Sequence, residues 1–381
     1  MFNEYIFLFI TLGFGILAVL FLIQTLLHKR YAWVLFISII FGFLAGIVAI
    51  SNALFFDNPF FESLHLNLYG IHFFCIYLFF ERLNSRKPNL IRLSVMASLL
   101  TMLAIGLWLV YFSQNVSTTI GLFSLEEEMN PFTEISWVIA DFAYWTPAFI
   151  AYLGLGVPIY IRTYLTTKET QPLILSIALV FVGFGFFISF LNDLMFILNV
   201  YNIITGSPSF IGVLASLNNA FQFIGILLFV ITYIINVDYI YRLPNDTYIL
   251  MVLKKGGIPI HTVHLETRKN IDVKAFLLSG VITAINNLFM ELTKRSTPIH
   301  TIISEDINVL IQSGKQITAV IMAENISYFL EKALKRYVKA FEKEFEDELN
   351  RKAENIQIFK RALNLLTSIF PFFMVKKNEH T

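Results

Sequence analysis

Two aspartates stand inside stretches that otherwise resemble hydrocarbon. An ionisable side chain in such a setting normally faces a partner, water or a ligand. Asp141 falls about five residues into an apolar run over 136–161, roughly 8 Å deep at about 1.5 Å per residue. Asp193 follows Asn192 and lies about as far from the end of the run 172–197. Asn52 ends another run, and His65, Asn67 and His72 occupy the first half of the run 64–81. Asn218, Asn219 and Gln222 sit near the middle of 209–237. Runs that cross a bilayer alternate in direction, so these positions gather in one leaflet half. Two carboxylates facing a shared pocket there suit a cationic or polar ligand, or a proton. The same amides also serve as interhelical hydrogen-bonding groups, and both readings stay open.

Seven apolar stretches position these residues: 5–27, 31–53, 64–81, 91–113, 136–161, 172–197 and 209–237. Each is long enough to cross a hydrocarbon core of about 30 Å. The odd-numbered connections carry Lys29, Arg30, Arg82, Arg86, Lys87, Arg92, Arg162 and Lys168. The even-numbered ones carry no Lys or Arg, but hold Asp57, Glu62, Glu126, Glu127, Glu128 and Glu134. Basic residues in short loops mark the cytoplasmic side. The expectation is a multi-pass helical bundle in the cell membrane over 1–240, N-terminus outside, and a cytoplasmic domain over 245–381.

Composition agrees: 56% of residues are hydrophobic, only 14% are charged, and 40 are Phe. The single cysteine, Cys75, leaves no intrachain disulfide and no cysteine metal site. The first stretch lacks a basic leader and a small-residue cleavage site, so it is expected to be retained. No HExxH, GxSxG or Walker sequence occurs, and no lysine lies in the seventh stretch to carry a retinal Schiff base. Neither enzymatic activity, nor a cofactor, nor a metal, nor a nucleic-acid partner is expected. The fifth stretch holds Pro147 and Pro158 around Gly154 and Gly156. Proline removes a backbone hydrogen bond and clashes with the preceding turn, so a bend is expected, as a shape-fitting kink or a hinge. The connection 114–135 carries the Glu126–Glu128 run and the sequon Asn115-Val116-Ser117.

After Arg242-Leu243-Pro244-Asn245 the hydrophobic period becomes alternating. Residues 247–254 and 258–266 read as a hairpin around Lys255-Gly256-Gly257. A helix over 272–294, N-capped by Asp272, is expected to follow. Phe276, Leu277, Val281, Ile285, Leu288, Phe289 and Leu292 recur on it at helical spacing. Strands at 299–304, 307–312 and 316–323 come next, then a long amphipathic helix from Ile326 to Leu349 and a last helix over 354–370. His261, His264 and His300 are expected to be surface or edge residues of the strands.

This ββαβββαα order, with the Gly256-Gly257 hairpin and the 272–294 helix, resembles longin domains, relatives of roadblock domains. The resemblance implies a five-stranded antiparallel sheet between helices and a role as a binding platform. Such platforms bind small GTPases or longin- and roadblock-type proteins, or form homodimers. The first half resembles the seven-helix amino-terminal sensor regions of prokaryotic histidine kinases at Gln171-Pro172 and at the Tyr241-Arg242-Leu243-Pro244 exit. The chain departs from them in having no phospho-acceptor helix and no Gly-rich ATP lid. Together these imply a membrane receptor or sensor that couples an outward-facing site to a cytoplasmic platform. Two alternatives stay open: a bilayer anchor for a GTPase-regulating scaffold, and a small-solute carrier using Asp141 and Asp193.

Overall fold

The computed structural model describes residues 2–28, 33–56, 58–112, 131–200, 208–235, 247–254, 256–265, 274–294, 299–304, 307–350 and 356–370. Side chains at some helical positions, among them Asn192, Asp193 and Asn219, also lie outside the described set. The chain divides into two compact units, one made chiefly of residues before 240 and one chiefly of residues after it.

The first unit is helical: α1 (Phe2–His28), α2 (Trp33–Ser51), α3 (Pro59–Asn84), α4 (Leu90–Phe112), α5 (Pro131–Phe149), α6 (Val157–Thr167), α7 (Thr170–Val200) and α8 (Pro208–Ile235). Two segments wind more loosely, with bonds to the fifth residue back: Asn52–Phe56 after α2, and Ile150–Gly156 between α5 and α6. Five helical stretches here are long and apolar enough to cross a membrane: Trp33–Phe55, Phe60–Asn84, Leu90–Tyr111, Ser136–Leu165 and Thr170–Leu191. In α1 and α8 the described apolar cores are Leu8–Ile23 and Ala220–Thr232. A multi-pass membrane protein has this composition. Helices α7 and α8 approach closely because Gly185 and Gly225 face each other's helix. A Cβ at Gly225 would stand 2.6 Å from the Ala178 carbonyl, and one at Gly185 would stand 3.1 Å from that of Asn218.

Helix α3 starts earlier than the hydropathy pattern suggests. Asn58 caps it, its side-chain oxygen accepting from the Phe60 amide at 2.8 Å, and Pro59 takes the first helical position. Glu62, expected in a connection, is therefore in the first turn and is 5% exposed. At the other end, buried Glu81 pairs with Arg92 of α4 at 2.8 Å.

The second unit holds a five-stranded antiparallel sheet in the order β2-β1-β5-β4-β3. The strands are β1 (Thr247–Lys254), β2 (Pro259–His264), β3 (Thr301–Ile303), β4 (Asn308–Ser313) and β5 (Ile317–Ala323). Central β1 is buried on both faces, which explains its unbroken apolar run. The β1–β2 turn places Gly256 and Gly257 at φ 109° and 85°, where only glycine is unstrained. On one face Met251, Leu253, Val309, Ile311 and Val320 pack under Ile282 of α9 (Ala275–Thr293). The other face meets α10 (Tyr328–Glu344), which Ser327 caps by accepting from the Leu330 amide at 3.1 Å. Beyond α10 come α11 (Glu346–Asn350), a 3₁₀ turn at Ile356–Arg361 and α12 (Ala362–Ile369).

His261 lies on the edge strand β2 and is half-buried; its ring centre is 6.4 Å from that of Phe341, and burial pushes its pKa down to about 4. On α9, most of the apolar residues that recur at helical spacing point away from the sheet. Phe276 is 76% exposed and Leu292 74%, whereas Leu278, Ser279 and Ile282 face the sheet side. The reason is that α9 is apolar on both faces, so the pattern could not say which one packs. Its residues Ala275–Leu292 form the sixth described helix long and apolar enough to cross a membrane.

Candidate functional site

One face of α3 carries Glu62, His65, Tyr69, His72, Phe73, Ile76 and Phe80, at the three- and four-residue steps that stack side chains along a helix. All are buried, and α3 is more deeply buried than any of the other membrane-length helices described. Its polar residues therefore point into protein.

His72 is the best-tied of them. Its Nδ1 lies 2.8 Å from the Ser38 carbonyl oxygen and 2.9 Å from the Ser38 hydroxyl. Its Nε2 lies 2.8 Å from the Tyr152 hydroxyl. A carbonyl only accepts, so in the neutral ring Nδ1 carries the proton and Tyr152 donates to Nε2. The Ser38 hydroxyl donates to the His72 carbonyl at 2.9 Å, knitting α2 to α3. Tyr152 belongs to the loosely wound segment, where the Val157 amide bonds the Tyr152 carbonyl five residues back. Pro147 lies inside α5 before this segment and Pro158 just after it. Each lacks a donor, and a wider turn relieves the clash of the ring with the backbone.

A second polar group lies nearer the start of α3. The Asn52 amide donates to the Glu62 carboxylate at 3.1 Å, and the Asn58 backbone amide donates to the Asn52 oxygen at 2.8 Å. His65 Nδ1 stands 3.6 Å from the same Glu62 carboxylate, beyond a hydrogen bond. Asp141 is 3% exposed, and both Asp141 and Glu62 lie within electrostatic reach of the buried Tyr144. On α8, Gln222 donates to Asn218.

Between these groups lies a cavity of about 110 Å³. Aromatic and aliphatic side chains, Phe14, Phe73, Phe80, Trp145 and Phe186 among them, form most of its wall. The polar part of the wall comes from His65, Tyr69, His72, Tyr144, Tyr152, Asn218 and Gln222. A dry, engineered cavity of about 150 Å³ takes benzene, so this space is of the order of a one-ring molecule or a few waters. A mostly apolar wall with a few convergent polar atoms is the usual form of a small-molecule site.

Of the sequence candidates, His72 lines this cavity. Asn52 and Asp141 are buried but do not line it: Asn52 bonds Glu62, and Asp141 lies within electrostatic reach of Tyr144, which does. Asn67 does not join them: its amide turns back onto its own helix and donates to the Ser63 carbonyl at 2.8 Å. The side chains of Asp193, Asn192 and Asn219 lie outside the described residues, as do the Glu126–Glu128 run, the Asn115 sequon and the 238–246 connector. The carboxylate that shares a neighbour with Asp141 among the described residues is Glu62. Tyr144, Tyr152 and Ser38 do not stand out in the sequence, since aromatic and small residues at helical spacing read as packing. Among the described residues no three His, Cys, Asp or Glu side chains cluster as a metal site. No family model, curated protein or solved structure matches this chain.

Proposed function

We propose that this chain is a membrane receptor or sensor whose helical bundle binds a small, largely apolar molecule carrying one or two polar groups. The observation that carries this reading is the aromatic cavity, with the His72–Tyr152 pair in its wall. Seven membrane-crossing helices, the amino terminus outside, agree with the basic residues confined to alternate connections. The five-stranded sheet between helices supports a longin-like reading of the second unit, as a cytoplasmic platform for a small GTPase or a similar partner. That part rests on shared architecture and is argued by analogy.

The purified full chain in lipid nanodiscs tests the reading, with phenol and indole as probes. Either probe is expected to raise the unfolding temperature and to alter hydrogen exchange in 247–266. Ala178→Phe, which fills the cavity from α7, should abolish both effects and leave the fold in place. Probes that act equally on the variant, or on neither protein, would overturn the cavity as a ligand site. Stabilisation without any change in 247–266 would favour the anchor reading.

Buried Glu62 and Asp141 favour a second reading, a proton-linked carrier of small solutes. Proton-dependent uptake into liposomes that is lost in Glu62→Gln would establish it.

A further inference from the structure

The outward face of α9 presents Phe276, Leu277, Val281, Ile285, Leu288 and Leu292, exposed by 38% to 76%. Polar side chains interrupt it only at Asn287 and Glu291. A soluble surface rarely carries so long an apolar strip. We propose that this face lies in the interfacial layer of the bilayer that holds the first unit, so that α9 is a membrane-surface helix.

Three observations select lipid as the occupant. The inward face is already taken, because Ala275, Leu278 and Ile282 pack on the sheet core. A helix with one face held by a sheet lies in the membrane plane rather than across it. The ends of the strip carry more basic than acidic residues, Glu266 and Asp272 being the acidic ones. Lys274 and Lys294 flank it and are exposed, and Arg268, Lys269 and Arg295 stand beside them in the sequence. Such flanks pair with anionic headgroups on either side of a buried apolar stripe. The tether is short: residues 236–246 join α8 to β1 and reach at most about 40 Å when fully extended. A helix about 28 Å long on so short a lead stays within range of the surface.

Depth-dependent quenching tests this on the full chain, in nanodiscs containing phosphatidylglycerol and at one copy per disc. A Cys75→Ala background carries an environment-sensitive fluorophore at Leu288→Cys or Val281→Cys, and at Lys339→Cys on α10 as a control. Doxyl-labelled lipid is expected to remove more than half of the emission at 288 and 281 and to leave 339 nearly unchanged. Two positions keep the result readable if one substitution disturbs the helix. Emission at both α9 positions that ignores the doxyl lipid overturns the proposal. So does a signal that becomes apolar only when several copies share a vesicle, because a second copy would then be the occupant.

Discussion

The Tyr152 hydroxyl and His72 Nε2 meet at 2.8 Å, and through that bond the loosely wound segment between α5 and α6 is tied to the middle of α3. The other ring nitrogen is held by Ser38 of α2, so three separate parts of the bundle converge on one imidazole.

Removing the hydroxyl leaves a buried acceptor without its donor. Tyr152→Phe should destabilise the bundle by about 1 kcal/mol, the range of a hydrogen bond between membrane helices. His72→Leu should cost at least as much, and the double variant less than the sum of the two. Unfolding of the purified full chain in detergent measures all three. Strict additivity would mean that the pair does not act as a unit.

Labelling tests the topology. In a Cys75→Ala background, Glu127→Cys should react with an impermeant maleimide on intact cells, and Lys315→Cys only after the cells are opened. Equal reaction of both would reverse or abolish the assigned orientation.

Residues 245–381 contain a complete sheet with helices on both faces and an aromatic cluster at Tyr337, Phe341, Phe345, Phe359 and Phe370. Made alone, this fragment should give a mixed helix-and-strand circular dichroism spectrum and one sharp unfolding transition. A coil-like spectrum would show that it depends on the bundle.

The same fragment should lose stability in mild acid. Burial holds His261 at about 4 against an ordinary 6.5, so between these values the unfolded chain takes up a proton that the folded one refuses. Stability is therefore unaffected above pH 6.5 and falls below it, by at most about 1.4 kcal/mol per pH unit from this group. Urea titrations from pH 7 to 4.5 should show the fall, and His261→Gln should flatten it. An unchanged slope in the variant would assign the effect elsewhere.

Much of the second unit is legible in the sequence, since β1 and β5 begin or end within a residue of where alternation and turn residues place them. The side of α9 that packs is not legible, because periodicity reports a repeat and both faces of this helix repeat. In the bundle, the apolar stretches mark the helices but lose the first turn of α3. Glu62 lowers local hydropathy as a loop residue would, and only Asn58-Pro59 signals that a helix has begun. The cavity is harder still. His72 stands out as polar in an apolar run, but Tyr144 and Tyr152 look like ordinary core until their hydroxyls are seen to converge.

The wide turn at Ile150–Gly156 also sets a phase. Each residue of an ordinary helix advances the side-chain direction by about 100°, and a turn that takes in one extra residue delays everything after it by that amount. The fully buried Tyr160 and Thr163 of α6 owe their inward direction to that delay as well as to their own positions. Deleting one residue among 150–156 would leave α6 with the same composition and length. It would turn those two side chains out of the interior and bring lipid-facing neighbours in, so the residue count of this short stretch is itself structural information.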